Sequence, residues 1–178
     1  MYLKFLKDPN FFKLLYKIDT DLAAKYRQLP CPYCGKTLHY ANYHRKGRYI
    51  DEHYSKKFSL CCSSCRRRVS VPSTLFFGPF VYGSLFFIII SYFNNGGGHR
   101  YKYLARIFKV SDRTIRRWKL WWKDTFKNSI FWKEKRAMFT EIKDIFPQSI
   151  LKEFKIFKDV LVFFSHFYGR PIISRKGC

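Results

Sequence analysis

The chain has 178 residues, 47% of them hydrophobic and 21% aromatic, with 20 Phe and 13 Tyr, which is enough for one or two modest cores and excludes a disordered tail. Lys and Arg number 35 against 12 Asp and Glu, a formal charge of +23, and the simplest account of that excess is a polyanionic partner. Part of the lysine can follow from AT-rich codon usage, but that discount does not reach the arginines, which recur in two blocks, 31–68 and 99–136.

Met1–Gln28 carries Asp8-Pro9 inside its apolar stretch and no small-residue cleavage site, so no secretory signal is expected and the cysteines are expected to face a reducing cytosol. Asp8 and Pro9 read as N-cap and first residue of a helix, with Phe11, Leu15, Ile18, Leu22 and Tyr26 at helical spacing and Leu29-Pro30 as its end. From Cys31 to Pro72 the pattern changes to short β-rich runs, with Gly35 and Gly47 at turns and a hairpin through Phe58, Leu60, Val69 and Val71. Leu75–Phe93 is uncharged, yet its helical part can begin only after Gly78-Pro79. That leaves about 14 residues and roughly 21 Å, short of a ~30 Å hydrocarbon core, so Val81–Phe93 reads as a buried helix with no membrane role. Asn94-Asn95-Gly96-Gly97-Gly98 reads as a joint or C-cap. Further helices are expected over Tyr101–Phe108, Asp112–Lys123, Ser129–Thr140 and Pro147–Tyr168, with Gly169–Cys178 as a loose basic tail.

Cys31-Pro-Tyr-Cys34-Gly35 and Cys62-Ser-Ser-Cys65 are two Cys-x-x-Cys pairs. A zinc ion takes four soft ligands in a tetrahedron, and each pair can place two thiolates along one edge of it, with Gly35 relieving the tight turn. The 27 residues between the pairs exceed the usual interval, which a two-stranded insert within Leu38–Lys57 would absorb. Cys61 is a second candidate for the third ligand, although only Cys62 gives the two-residue interval to Cys65. Four thiolates close the coordination sphere, so the role is structural, with zinc the expected ion. His39, His44 and His53 lie in the insert and could in principle ligate a metal, but among basic and aromatic residues they read as surface or phosphate-contacting groups.

Leu104–Trp118 has the layout of a helix-turn-helix. Ala105 permits close helix crossing, Phe108 and Val110 bury the turn, Ser111 caps the second helix, and Ile115, Trp118 and Trp122 anchor it inward. Asp112, Arg113, Arg116, Arg117 and Lys119 are then left outward, a set suited to base edges and phosphates of a major groove. Lys109 stands where many such motifs have Gly, so the turn is expected to be altered there. Arg66, Arg67 and Arg68, next after the second cysteine pair, form a second candidate DNA contact.

In the order of these motifs the chain resembles the amino-terminal region of bacterial insertion-sequence transposases that carry a zinc ribbon followed by a helix-turn-helix, and a group of small uncharacterised bacterial proteins with the same order. The residues concerned are Cys31–Gly35, Phe58–Val71, Thr74–Phe77, the apolar helix and Leu104–Trp118. The resemblance implies that Val81–Phe93 packs on the helix pair as a three-helix unit. It also implies a ribonuclease-H-like catalytic domain with three carboxylates, for which Asp124, Glu134, Glu141, Asp144, Glu153 and Asp159, on short basic helices, give no scaffold. His-x-His is absent, a tyrosine recombinase needs a spaced Arg-His-Arg-Tyr set over a larger domain, and with 13 Tyr no single tyrosine is diagnostic.

The expected fold is therefore mainly α with a small β zinc ribbon, a helical bundle containing a helix-turn-helix. Its expected divisions are an amino-terminal helical arm (1–28), the ribbon (29–74), the three-helix unit (75–126) and carboxy-terminal helices with the tail (127–178). The expected function is a nonenzymatic, cytoplasmic protein that binds double-stranded DNA and recruits a separate transposase or recombinase. A transcriptional regulator of a mobile element and an RNA-binding scaffold are the competing expectations.

Overall fold

The computed structural model of the chain describes residues 8–77, 82–84, 87–88, 98–139, 150 and 153–167. It is mainly helical with two small antiparallel sheets, and it divides into two compact units, 1–86 with 161–178, and 87–160.

In the first unit, helix α1 (Pro9–Arg27) starts where the sequence places it: Asp8 is extended and its carboxylate accepts from the backbone N–H of Asn10 and Phe11 at 3.0 and 3.4 Å. The face it buries runs through Phe11, Phe12, Leu15, Asp19 and Ala23, in steps of about one turn. Ile18, Leu22 and Tyr26 of the expected stripe are only partly buried, at its margin.

The face covers a ribbon of strands: β1 (Leu38–Tyr40), β2 (Tyr43–His44), a single 3₁₀ turn (Glu52–Tyr54), β3 (Lys56–Lys57), β4 (Ser59–Cys62) and β5 (Arg68–Ser70). Strands β1, β4 and β5 form one sheet in the order β1-β4-β5, and β2 with β3 forms the two-stranded insert that the long inter-cysteine interval required. Alternation sends Leu60, Cys62 and Val69 inward, where they pack with Leu38, Phe58, Val71 and Cys31 against Ala23 of the helix. Tyr16 closes the same seam, its ring 5.5 Å from Phe58 and 5.6 Å from Tyr54. The amino-terminal helix is thus part of the ribbon's core and no separate arm, because two short sheets bury too little without a helix on one face.

A buried carboxylate fixes the segment that leaves the ribbon. Asp19 is 1% exposed and accepts from Ser73 Oγ (2.5 Å), Thr74 N (2.5 Å), Thr74 Oγ1 (2.7 Å) and Leu75 N (3.4 Å). Leu75, Phe76 and Phe77 consequently belong to the first unit, and the boundary lies at 86/87 in place of the expected 74/75. Phe77 packs on Phe164 and Phe167, ring centroids 6.3 and 6.0 Å away.

In the second unit, α2 (Gly98–Ile107) and α3 (Asp112–Leu120) are joined by residues 108–111. Lys109 has φ 49, and the N–H of Val110 reaches back to the Ala105 carbonyl at 3.0 Å, a left-handed helix stop that a glycine would satisfy without strain. Ser111 then caps α3, its hydroxyl accepting from Thr114 N at 3.2 Å. The helix runs on as a π-type segment (Trp121–Phe126), which turns Trp121, Trp122 and Phe126 into one core. Helix α4 (Ile130–Lys135), capped by Ser129, adds Phe131 and Trp132, and a 3₁₀ turn (Arg136–Met138) comes next.

Of the expected helix Val81–Phe93, only 82–84, 87 and 88 are described. Phe87 and Ile88 are helical and fully buried, and Phe87 lies 5.3, 5.4 and 5.7 Å from the rings of Trp118, Trp121 and Trp122. Most of the Asn94–Gly98 run, the 140–149 region and the tail 168–178 lie outside the described residues, although Gly98 itself begins α2. The single helix expected over Pro147–Tyr168 is interrupted at residues 153–156. Helix α5 (Phe157–Ser165) starts only afterwards, while Phe154 turns to the Phe139 ring at 5.9 Å.

Candidate functional site

Two knuckles of the same design hold the cysteines. In the first, the Gly35 N–H donates to the Cys31 carbonyl at 2.8 Å and the Cys31 N–H to the Lys36 carbonyl at 2.9 Å, with Gly35 at φ 71. In the second, the Cys62 N–H donates to the Arg67 carbonyl at 3.1 Å, and the place of Gly35 is taken by Arg66 at φ 56. Nothing lies within 4 Å of a Cβ built on Gly35, so glycine is needed there for its backbone conformation and not for space.

Strand β4 brings the second knuckle to the first. The Sγ atoms of Cys31, Cys34, Cys62 and Cys65 all lie within 4.8 Å of one another, with Cys34–Cys62 at 3.4 Å and Cys31–Cys65 at 3.8 Å. A tetrahedron with metal–sulfur bonds of about 2.3 Å has sulfur–sulfur edges of roughly 3.8 Å, so the four sulfurs already stand close to the spacing a metal ion demands. Cys62 belongs to this group and Cys61 does not: adjacent strand residues face opposite ways, and the Cys61 sulfur lies 3.6 Å from the Cys62 carbonyl.

The thiols are electrostatically unequal. Against the burial that would raise it, N–H groups of Cys65 and Ser64 directed at the Cys62 sulfur bring its pKa down to about 6. The Arg67 N–H favours the Cys65 thiolate, but burial and the neighbouring sulfurs push that thiol up to about 11. Four sulfurs this close cannot all ionise on their own, and a cation among them removes the conflict. The cluster can hold a metal ion and, with four protein ligands, leaves no position for a reacting water. The three insert histidines stand apart from it: His44 Nδ1 meets Ser55 Oγ at 3.0 Å, His53 Nδ1 meets Asp51 Oδ1 at 2.8 Å, and His39 is exposed.

The basic candidates separate into two kinds. Arg66 and Arg67 are exposed, with the Arg67 guanidinium 5.0 Å from the centre of the Tyr33 ring. Arg68 differs from the expectation of three equivalent phosphate contacts. Its Nη1 donates to the Ala41 carbonyl at 2.8 Å and to Ser59 Oγ at 3.1 Å, tying β5 to the end of β1, because the strand turns it across the sheet. On α3, Ile115 and Trp118 are buried while Arg113, Arg116 and Arg117 are exposed and Asp112 and Lys119 are half-buried. Asp112 Oδ2 lies 3.7 Å from Arg116 Nη2, a pair one turn apart whose charged side chains reach solvent.

Tyr among the basic residues of the ribbon is the sequence signal behind the expectation of a scaffold that stacks single-stranded bases, and the fold supplies the individual pairs that the sequence does not: Tyr33 beneath Arg67, Tyr40 beneath Arg27 and Tyr43 beneath Arg68. No helix among the described residues is long and apolar enough to cross a membrane. Comparison with protein-family models, with curated proteins and with solved structures finds no match to this chain.

Proposed function

We propose that this chain is a zinc-containing protein that binds double-stranded DNA, catalyses nothing by itself, and serves a transposase-like mobile element by recognising DNA and recruiting a separate recombinase. The observation that carries the reading is α3: Ile115 and Trp118 lock one side of a capped helix to an aromatic core, and Arg113, Arg116 and Arg117 occupy the solvent side. That is the arrangement by which the second helix of a helix-turn-helix enters a major groove, its first turn offering guanidinium groups to base edges. The Lys109 turn supports the same reading, since its left-handed conformation stops the first helix in the place where many such motifs have glycine. Zinc is the ion that four thiolates at this spacing fit best. The mobile-element role rests on the resemblance in motif order alone.

The test is a binding series on a duplex selected by the protein and on its scrambled counterpart. With on the order of six phosphates neutralised, log affinity falls with log salt at a slope of roughly −5. Arg113→Ala or Arg116→Ala weakens the selected site by about 1–3 kcal/mol and scrambled DNA little, whereas Arg67→Ala weakens both alike. A slope near zero would overturn the DNA reading, and the reverse partition would make the ribbon the reader.

A further inference from the structure

The insert that lengthens the ribbon supplies no ligand to the sulfur cluster, yet it exposes aromatic rings. Tyr40, Tyr43 and Tyr49 are 47%, 44% and 42% exposed. Two of these rings already carry a guanidinium on one face, Arg27 Cζ lying 5.1 Å from the Tyr40 centroid and Arg68 Cζ 5.5 Å from that of Tyr43. Arg68 is itself pinned by its bonds to Ala41 and Ser59, so the Tyr43 ring rests on a fixed support. Pairs of this kind also join Arg45 to Phe76, Arg48 to Tyr82 and Arg67 to Tyr33. Tyr49 adds a backbone signal: a bulky residue at φ 62 is held in an unfavourable conformation, and its ring stacks on Tyr82 at 6.5 Å and 19°.

Charge decides what such rings would receive. With Lys57 turned to the Val71 carbonyl, residues 38–57 still bring Arg45, Lys46, Arg48 and Lys56 against Asp51 and Glu52, which favours a polyanion over an apolar protein face. Ring shape decides the rest. Bases within a duplex offer no open face to a tyrosine, whereas unpaired bases stack on aromatic rings while cations track the phosphates.

We propose that the ribbon insert is a stacking platform for an unpaired DNA strand, with Tyr40 and Tyr43 receiving bases and the adjoining basic residues holding phosphates. It is a second nucleic-acid surface in addition to α3, and it rests on the DNA reading above only for the choice of DNA over RNA.

The experiment titrates the full metal-loaded chain with a fluorescent 15-nucleotide oligo(dT), the same length of oligo(U), and a 20-base-pair duplex of arbitrary sequence. Tyr40→Ala with Tyr43→Ala should weaken oligo(dT) binding about tenfold or more and change duplex binding less than twofold. The corresponding double Phe variant should match the parent on both, and unchanged metal content and circular dichroism would show that the fold persists. Undiminished oligo(dT) binding in the double Ala variant, an equal loss on the duplex, or no oligo(dT) binding by the parent would each overturn the proposal. So would oligo(U) binding tenfold tighter than oligo(dT), since the strand would then be RNA. A parent that ignores duplex but binds oligo(dT) through these tyrosines would sink the duplex reading and leave this one standing.

Discussion

Cys34 is the exposed member of the sulfur cluster, and the rival ligand that the sequence offers, Cys61, faces away from it. Cys34→Ser is therefore expected to abolish stoichiometric metal content and to unfold the ribbon, whereas Cys61→Ser keeps the metal. Metal analysis of the purified variants beside the parent checks this, and equal loss in both would reopen the ligand set. Lys57 offers a test of a different kind. Burial lowers its pKa from 10.5 to about 8, against the attraction of Asp19 and with the repulsion of Arg45, while its ammonium donates to the Val71 carbonyl at 2.6 Å. A lysine with a depressed folded pKa holds fewer protons folded than unfolded between those two values, so folding stability rises as pH climbs from about 8 towards 10.5. The full gain is on the order of 3 kcal/mol. Urea midpoints at pH 7.5 and 9.5 should separate for the parent and converge for Lys57→Met; a parent midpoint that falls with pH would contradict the assignment.

The α2–turn–α3 element holds its strain at a single residue. Lys109 adopts the left-handed conformation, which costs an L residue about 1–2 kcal/mol, less what a glycine loses through its looser unfolded chain. Lys109→Gly should accordingly raise the stability of this unit by about 0.5–1 kcal/mol over Lys109→Ala, which removes the same charge and keeps the strain. Thermal unfolding monitored by tryptophan emission is the readout, because Trp118, Trp121, Trp122 and Trp132 all belong to this unit. Identical midpoints for the two variants would mean that the turn relaxes in solution. The ribbon element places Arg66 in the same conformation, where a basic side chain is kept at a position its sister knuckle gives to Gly35.

For the chain as a whole, the sulfur cluster and the tryptophans fall in different compact units. Removing the metal with a strong chelator is expected to abolish the sheet signal in circular dichroism and to leave tryptophan emission nearly unchanged. A red shift of that emission in parallel with metal loss would show that the two units fold as one. The +23 charge is carried by both units, so affinity for nucleic acid should fall with salt in either of them when tested by substitution at Arg67 or Arg113.

The parts legible in the sequence were those fixed by local chemistry. Asp8-Pro9 and Ser111 mark helix starts because their side chains satisfy N–H groups within the next turn, and the Cys-x-x-Cys intervals define knuckles because each closes on its own backbone. Other features depend on residues far apart in the chain. Asp19 is a carboxylate on a helix about which nothing local is distinctive, and it belongs in the core only because the fold brings Ser73 and Thr74 onto it. Arg68 read as one of three equal charges, and the pairing of β4 with β5 turned it across the sheet to Ala41 and Ser59. Cys62 was distinguished from Cys61 by its interval to Cys65, and the strand's alternation put its sulfur beside Cys34. The sequence by itself determined where the capped helices begin, at Asp8, Ser111 and Ser129, and which side chains can bind a metal, because those forces act within a few residues. The tertiary structure alone decided that Asp19 is buried, that Arg68 turns inward across the sheet and where the units divide, because burial is set by what packs against a residue from elsewhere in the chain.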